Sequence, residues 1–275
     1  MSQLSPTLST TYLQRFGGIA RLYGQQALPL LQRAHFAIIG IGGVGTWTAE
    51  ALARTGVGTL TLIDMDDVCI TNTNRQIHAL QSTIGQIKTT AMAARLRDIN
   101  PEIVVHEIAQ FVSIDNVRDL LTPTFNIVID AADSAAAKTA IIACCRRNKI
   151  LVITVGSAGG KIDPREITSG DLSRTTADPL LSKVRQQLRR FYNFPKNDSP
   201  TNGKRRFSVE AVFSTEAMRY PQPDGTVCAQ KGVMEEGVKL DCSGGFGSVT
   251  MVTASFGMVA AARAVEKYLA KSISP

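Results

Sequence analysis

The stretch Gly40-Ile-Gly42-Gly43-Val-Gly45 joins an apolar run, His35–Ile41, to a helical pattern over Val44–Arg54. Glycines at this spacing permit a tight turn and close backbone approach to a phosphate. The helix start behind them adds N–H donors and a positive dipole end. Asp64 follows the next apolar run, Thr59–Ile63, where a carboxylate accepts bonds from ribose hydroxyls. This is the pattern of a nucleotide site, and it fits NAD as well as ATP.

The residues beyond Asp64 narrow the choice. Asp66 and the polar stretch Asn72-Thr-Asn-Arg75-Gln76 come directly after the second run, Lys88 opens the next helical pattern, and Asp133 closes the segment IVIDAAD. An NAD-dependent oxidoreductase leaves Arg75, Lys88 and Asp133 without work. With ATP they form a phosphoryl-transfer set. Arg75 and Lys88 neutralise the β- and γ-phosphates as pyrophosphate leaves, and Asp133 offers a hard oxygen to the Mg²⁺ that accompanies a triphosphate. Each has a plain alternative, surface cations for the first two and a helix cap for Asp133; the ordered set favours ATP. The candidate catalytic residues are therefore Arg75, Lys88 and Asp133. The candidate ATP contacts are Gly40, Gly42, Gly43, Gly45, Asp64, Asp66, Asn72, Arg75, Gln76 and Lys88.

To meet, these residues need a common edge. Strand patterns at Thr59–Ile63, Ile103–Ile108, Asn126–Asp130 and Ile150–Val155 alternate with helical patterns at Gln86–Asn100, Ser113–Leu121 and Ser134–Asn148. Such alternation predicts an α/β fold, a doubly wound, mostly parallel sheet with helices on both faces. Its carboxyl edge would carry the site. After Gly156 the rhythm changes. Pro179–Tyr192 has helical spacing, with Leu180, Val184 and Leu188 on one side, Phe194–Gly203 reads as a loop, Phe207–Phe213 as a strand and Tyr220–Gly225 as a turn. We expect an adenylation domain over 1–156 and a smaller α+β extension over 157–275, packed as one unit.

With 275 residues, 44% hydrophobic and 19% charged, the chain has ample material for a packed core. No basic segment followed by an apolar run opens it, so no secretory signal is expected. Cys69, Cys144, Cys145, Cys228 and Cys242 are scattered with no CxxC pair. This argues against a disulfide framework and a four-cysteine zinc site, and it suits a reducing cytoplasm. Cys144 and Cys145 read as packing residues, and His78 as a surface or capping residue in preference to one facing the crevice.

Charge is concentrated. Lys183, Arg185, Arg189, Arg190, Lys196, Lys204, Arg205 and Arg206 face only Asp198, so this segment holds the entire formal charge of +7. A polyanion such as RNA is the implied partner, a solvated helix face and loop being the plain alternative. Residues 242–262 carry no charge and are long enough for a membrane helix. Their glycines and hydroxyl residues fit a buried helix starting near Ser248 better, while peripheral or single-pass membrane association stays open.

The glycine loop, Asp64/Asp66, Asn72-x-x-Arg75-Gln76, Lys88 and Asp133 together resemble the adenylating enzymes related to ubiquitin activation, the ThiF/MoeB-type superfamily. The resemblance implies that ATP and Mg²⁺ bind on the sheet and that a carboxylate attacks the α-phosphate. It places ribose on Asp64, phosphates on Asn72, Arg75 and Lys88, and metal at Asp133. It also implies a homodimer in which the arginine reaches the neighbouring nucleotide. Members that adenylate the C-terminal glycine of a ubiquitin-like sulfur carrier commonly bind zinc through two CxxC pairs, absent here. Asp171, Thr175, Asp178-Pro-Leu-Leu, Arg185, Arg189, Phe207–Glu216 and Gly245-Phe-Gly-Ser-Val instead resemble the tRNA threonylcarbamoyladenosine dehydratases, over nearly the whole chain. That resemblance gives the basic residues Lys183, Arg185, Arg189, Arg190, Lys204, Arg205 and Arg206 the tRNA. It implies ATP-driven cyclising loss of water from a threonylcarbamoyl adenosine beside the anticodon. Cys228 and Cys242 lie where relatives place a reactive cysteine, and sulfur-relay proteins such as a cysteine desulfurase are implied partners. A monovalent cation is a further candidate ligand.

Overall fold

The computed structural model describes residues 8–196, 205–222, 224–228 and 246–273. Two N-terminal helices, α1 (Thr10–Tyr23) and α2 (Ala27–Arg33), precede the alternating part. There β1 (His35–Ile39), α3 (Gly45–Arg54), β2 (Thr59–Ile63), α4 (Lys88–Ile99) and β3 (Val104–Ile108) build one half. The one-turn α5 (Val117–Leu120), β4 (Ile127–Asp130), α6 (Ala135–Arg147) and β5 (Leu151–Val155) build the other. Then come β6 (Ile167–Asp171), α7 (Pro179–Phe191), β7 (Glu210–Ser214), a small hairpin of β8 (Tyr220–Pro221) and β9 (Val227–Cys228), and α8 (Thr250–Ile273).

Seven strands form one sheet in the order β3-β2-β1-β4-β5-β7-β6, parallel except for β6, which runs antiparallel to β7. Successive side chains of a strand point to opposite faces. Thus Phe36 and Ile38 of β1 enter one core with α3, α4 and α8, while Ala37 and Ile39 enter a second core with α5, α6 and α7. The alternation therefore yields the doubly wound sheet that it predicts. Chain order reverses between β1 and β4, and in such a sheet ligands bind in the crevice above that switch point.

Residues after 156 join the same sheet through β6 and β7, and α8 packs across α3. The two helices cross closely at Gly257, where a Cβ would lie 2.7 Å from Val44 O and Trp47 Cβ. Residues 250–262 are the first half of α8. Among the described residues no helix is long and apolar enough to cross a membrane.

Three local expectations shift. The buried stripe of α7 is Leu181, Val184 and Leu188, with Leu180 only half-buried. A buried leucine contributes about 1.5–3 kcal/mol, so this stripe fixes the helix on β-strand residues of the second core. The strand expected from Phe207 begins at Glu210, because Ser208 is left-handed (φ 54°) and the Asp171 carboxylate takes the Phe207 and Ser208 N–H groups at 2.9 and 2.8 Å. Of the segment expected as a turn, Tyr220–Gly225, Tyr220 and Pro221 pair with Cys228 and Val227 as one arm of the hairpin.

Candidate active site

The glycine loop sits at the switch point. Gly40 (φ 86°) leaves β1 so close to the end of β4 that a Cβ would lie 2.8 Å from Ala131 O, and a Cβ on Gly45 would lie 1.8 Å from Gly40 O. Only glycine fits at either position. The helix α3 starts with no side-chain cap at Val44. Thr46 N donates to Gly42 O at 3.2 Å, and the positive dipole end of the helix stands at the loop, where an anion is favoured.

Asp64, at the end of β2, clasps this loop. Its carboxylate accepts Ile41 N at 2.6 Å and Asp66 N at 2.9 Å. Burial raises its pKa, opposed by Lys88 and by the two N–H bonds. Asp66 stands half-exposed above, 2.7 Å from the ammonium of Lys88, whose side chain is buried at the start of α4. The sequence-derived acids and lysine are thus brought together as one cluster beside the loop.

Arg75 and Gln76 face the same loop from the polar stretch. A Cβ on Gly43 would touch Arg75 Cγ at 3.4 Å, and one on Gly42 would lie 3.9 Å from Gln76 Nε2. The Arg75 carbonyl is held by Trp47 Nε1 (3.1 Å) and by the Thr253 hydroxyl of α8 (3.2 Å), while its guanidinium donates to Thr71 O and Asn74 Oδ1. Asn72 is buried, and its Oδ1 accepts Cys69 N at 3.0 Å, shaping the turn. Asp133 is exposed on the loop after β4, and Ser134 rather than Asp133 caps α6.

Several participants carry no clear signal in the sequence. His78 is buried, not a surface or capping residue. It pairs with Ile41 O at 3.2 Å, and burial pushes it down to about 4, with the Ile41 bond opposing the shift and Lys88 adding to it. Neutral at pH 7, it braces the loop from behind. Among the described residues Gln76 Oε1 and His78 Nδ1 are buried without a hydrogen-bond partner. Beneath the β4 loop, Asp130 and Lys138 form a wholly buried ion pair at 3.2 Å; the ammonium also donates to Asp130 O, and Thr154 donates to the Asp130 carboxylate at 2.7 Å. A single lysine in the Ala-rich helix AAAKTAIIACC is the one hint of this pair.

The basic segment divides. Arg185 is half-buried and donates to the Thr175 hydroxyl, and Arg189 donates to Pro195 O at 3.2 Å while lying 5.2 Å over the Phe207 ring. Both hold local structure. Lys183, Arg190, Arg205 and Arg206 are exposed. Lys204 and Cys242 lie outside the described residues. Cys228 is half-buried in the hairpin, whereas Cys144 and Cys145 are buried packing residues.

Among the described residues there is no group of three or more His, Cys, Asp or Glu that could hold a metal ion. A magnesium ion bound with a triphosphate requires only one or two carboxylates, the phosphates and water completing its shell. The single exposed Asp133 fits that use and does not make a free-standing metal centre.

Comparison with known proteins agrees with this fold. The ThiF family model matches residues 17–273. The chain is 52% identical over 269 residues to the tRNA threonylcarbamoyladenosine dehydratase of Escherichia coli, covering 98% of both chains. It is 50% identical to the protein of that name from Haemophilus influenzae, covering 94% and 95%. The E. coli enzyme solved in complex with ATP superposes with a TM-score of 0.83 at 48% identity, covering 97% of this chain and 98% of that one.

Proposed function

The chain belongs to the ThiF family, and from that premise we propose that its crevice performs ATP-dependent dehydration of N6-threonylcarbamoyladenosine in tRNA. The observation that carries this reading is the near full-length identity with enzymes of that name, combined with the uncapped helix start and the Asp64–Asp66–Lys88 cluster at the switch point. Gly40 makes the turn, its own N–H donating to Ile63 O at 2.9 Å, and Gly42, Gly43 and Gly45 seat the phosphates against backbone N–H groups. Asp64, already rigid, offers its remaining lone pairs to ribose, and Gln76 Oε1 gains a partner at the rim. Mg²⁺ would be held by Asp133 and would neutralise phosphate charge.

The threonine carboxylate oxygen attacks the α-phosphorus of ATP, and the bond to the bridging oxygen of pyrophosphate breaks. Lys88 and Arg75 stabilise the charge gathering on that leaving group. The product is an acyl-adenylate. A nucleophile of the carbamoyl group in the same nucleoside then attacks the acyl carbon, closing a ring as AMP departs. The sum is loss of one water from the nucleoside and cleavage of ATP to AMP and pyrophosphate. Both reacting groups belong to one nucleoside, so orientation supplies much of the second step, and no cysteine nucleophile is required.

We further propose a homodimer, a cytoplasmic location with the tRNA substrate, and docking of sulfur-relay proteins near Cys228 and Cys242. A monovalent cation completes the proposed ligands. Adenylation of a ubiquitin-like sulfur carrier would use the same crevice. The reading is tested by supplying ATP and Mg²⁺ with threonylcarbamoyl-tRNA, unmodified tRNA or a sulfur-carrier protein. Pyrophosphate release with the modified tRNA alone supports dehydration, and release with the carrier alone overturns it.

A further inference from the structure

At the edge of the sheet opposite the crevice, a cavity of about 850 Å³ opens between α5, the end of α6 and the residues following α7. Thr122 before β4, Arg147 and Asn148 before β5 and Ser208 before β7 line it, so it lies where strands begin. The exposed guanidinium groups of Arg118, Arg146, Arg147 and Arg206 surround it with Tyr192 and Phe194, and no carboxylate is among its described lining residues. Arg118, Cys144 and Arg147 line the same cavity; burial raises the Cys144 thiol, while the Asn148 hydrogen bond and then the two arginines oppose that shift. The helices α6 and α7 end here, each contributing about half a negative charge, which four arginines exceed.

Such a lining has a definite chemistry. Arginine forks take phosphate oxygens in pairs, and aromatic rings stack on bases; Tyr192 and Phe194 are half-buried, Phe194 lying edge-on to Phe207 at 5.0 Å. The cavity is also tied to the crevice by α7. That helix starts at Asp178, whose carboxylate holds Ser157 N at 2.8 Å just beyond β5, and runs 13 residues to Phe191. At 1.5 Å per residue it spans about 20 Å. The exposed Lys183 and Arg190 lie along it.

We propose that this cavity binds a nucleotide unit of the tRNA away from the reacting nucleoside. Its phosphate would sit on Arg118 and Arg147, and its base on Tyr192 or Phe194. The RNA source rests on the function proposed above; the ligand chemistry, a phosphate with a stacked base, rests on the cavity. The cavity thereby adds a second point of substrate recognition about one α7 length from the chemistry.

The test compares the full chain with the double variant Arg118→Ser/Arg147→Ser, Phe194→Ser and Arg147→Lys. Affinity for tRNA with and without the threonylcarbamoyl group is measured across a salt series, beside ATP affinity and steady-state kinetics. The double variant is expected to bind tRNA at least about tenfold more weakly, with a log K against log salt slope shallower by about 0.7–0.9 for each phosphate no longer neutralised. KM for tRNA rises while kcat and ATP affinity stay within about twofold. Phe194→Ser weakens binding without altering the slope, because stacking releases no counterion, and Arg147→Lys keeps the slope. Unchanged tRNA affinity and slope in the double variant overturn the proposal. AMP stoichiometry is measured on the same proteins: a second AMP bound per wild-type chain and lost in the double variant, with tRNA binding intact, also overturns it and would assign the cavity to a free mononucleotide. A wild-type chain that binds tRNA through these residues but removes no water would overturn the dehydration reading and leave the cavity assignment standing.

Discussion

Lys88 Nζ lies 2.7 Å from Asp66 Oδ2, the lysine side chain buried and the aspartate about half exposed. Asp66, half in solvent, is rehydrated when it releases the ammonium, whereas the buried ammonium needs another anion in its place. A polyphosphate, carrying more charge, therefore takes the ammonium at small cost. Asp66 stores the cation in position, and Lys88 acts on the leaving pyrophosphate. Lys88→Ala is expected to lower the rate of pyrophosphate formation about 100- to 1000-fold. Asp66→Asn is expected to lower it less than about tenfold, since the lysine stays buried in α4. Single-turnover pyrophosphate release on both variants checks this ordering.

The glycines separate folding from binding. At Gly45 a Cβ would fall 1.8 Å from Gly40 O, whereas at Gly42 nothing but Gln76 Nε2, 3.9 Å away, approaches. Gly45→Ala should cost about 3 kcal/mol or more of stability and abolish ATP binding. Gly42→Ala should leave the melting temperature nearly unchanged, yet weaken ATP tenfold or more, about 1.4 kcal/mol, by filling phosphate space. Thermal melts with nucleotide titrations read both effects.

His78 sets a pH dependence of stability. Folding depresses its pKa from 6.5 to about 4, so the unfolded chain binds the extra proton between those values. Its contribution is fully present above pH 6.5 and is lost as pH falls toward 4. The loss reaches about 3 kcal/mol at 1.36 kcal/mol per pH unit. Denaturant unfolding from pH 7 to 4 should show that decline, and His78→Gln should flatten it.

Asp130 and Lys138 support the β4 loop from within the core. Removing one member strands a buried charge, so Lys138→Met alone should destabilise by about 3–5 kcal/mol. Lys138→Met with Asp130→Asn should recover most of that loss. A double-mutant cycle measured by denaturant unfolding gives the coupling. Where the double variant folds but adenylates slowly, the pair's work is positioning the loop that carries Asp133.

Much of this architecture is legible in the sequence, for specific reasons. Apolar runs with Gly/Asp punctuation locate β1, β2, β4 and β5, the alternating run Ile103–Ile108 locates β3, and together they give the edge where the site lies. The edge strand β6 (ITSGD) escapes, because a half-exposed, polar strand carries little alternation. The helix α1 escapes because Gly17 and Gly18 interrupt its pattern, although Ser9 caps it through Tyr12 N. The burial of His78 and the Asp130–Lys138 pair are not legible because partner choice is tertiary, and no spacing rule tells a buried lysine from a surface one. The extension also does more than hold cations: Thr253 and the Ser248 carbonyl of the C-terminal segment fix Arg75 and Asn74 beside the glycine loop.

The most direct measurement is the mass of the modified nucleoside after incubating threonylcarbamoyl-tRNA with the chain, ATP and Mg²⁺, with AMP counted in the same reaction. Loss of one water per AMP formed, abolished by Lys88→Ala, is the expected result. AMP formation with the nucleoside mass unchanged would contradict dehydration and assign the crevice to another carboxylate.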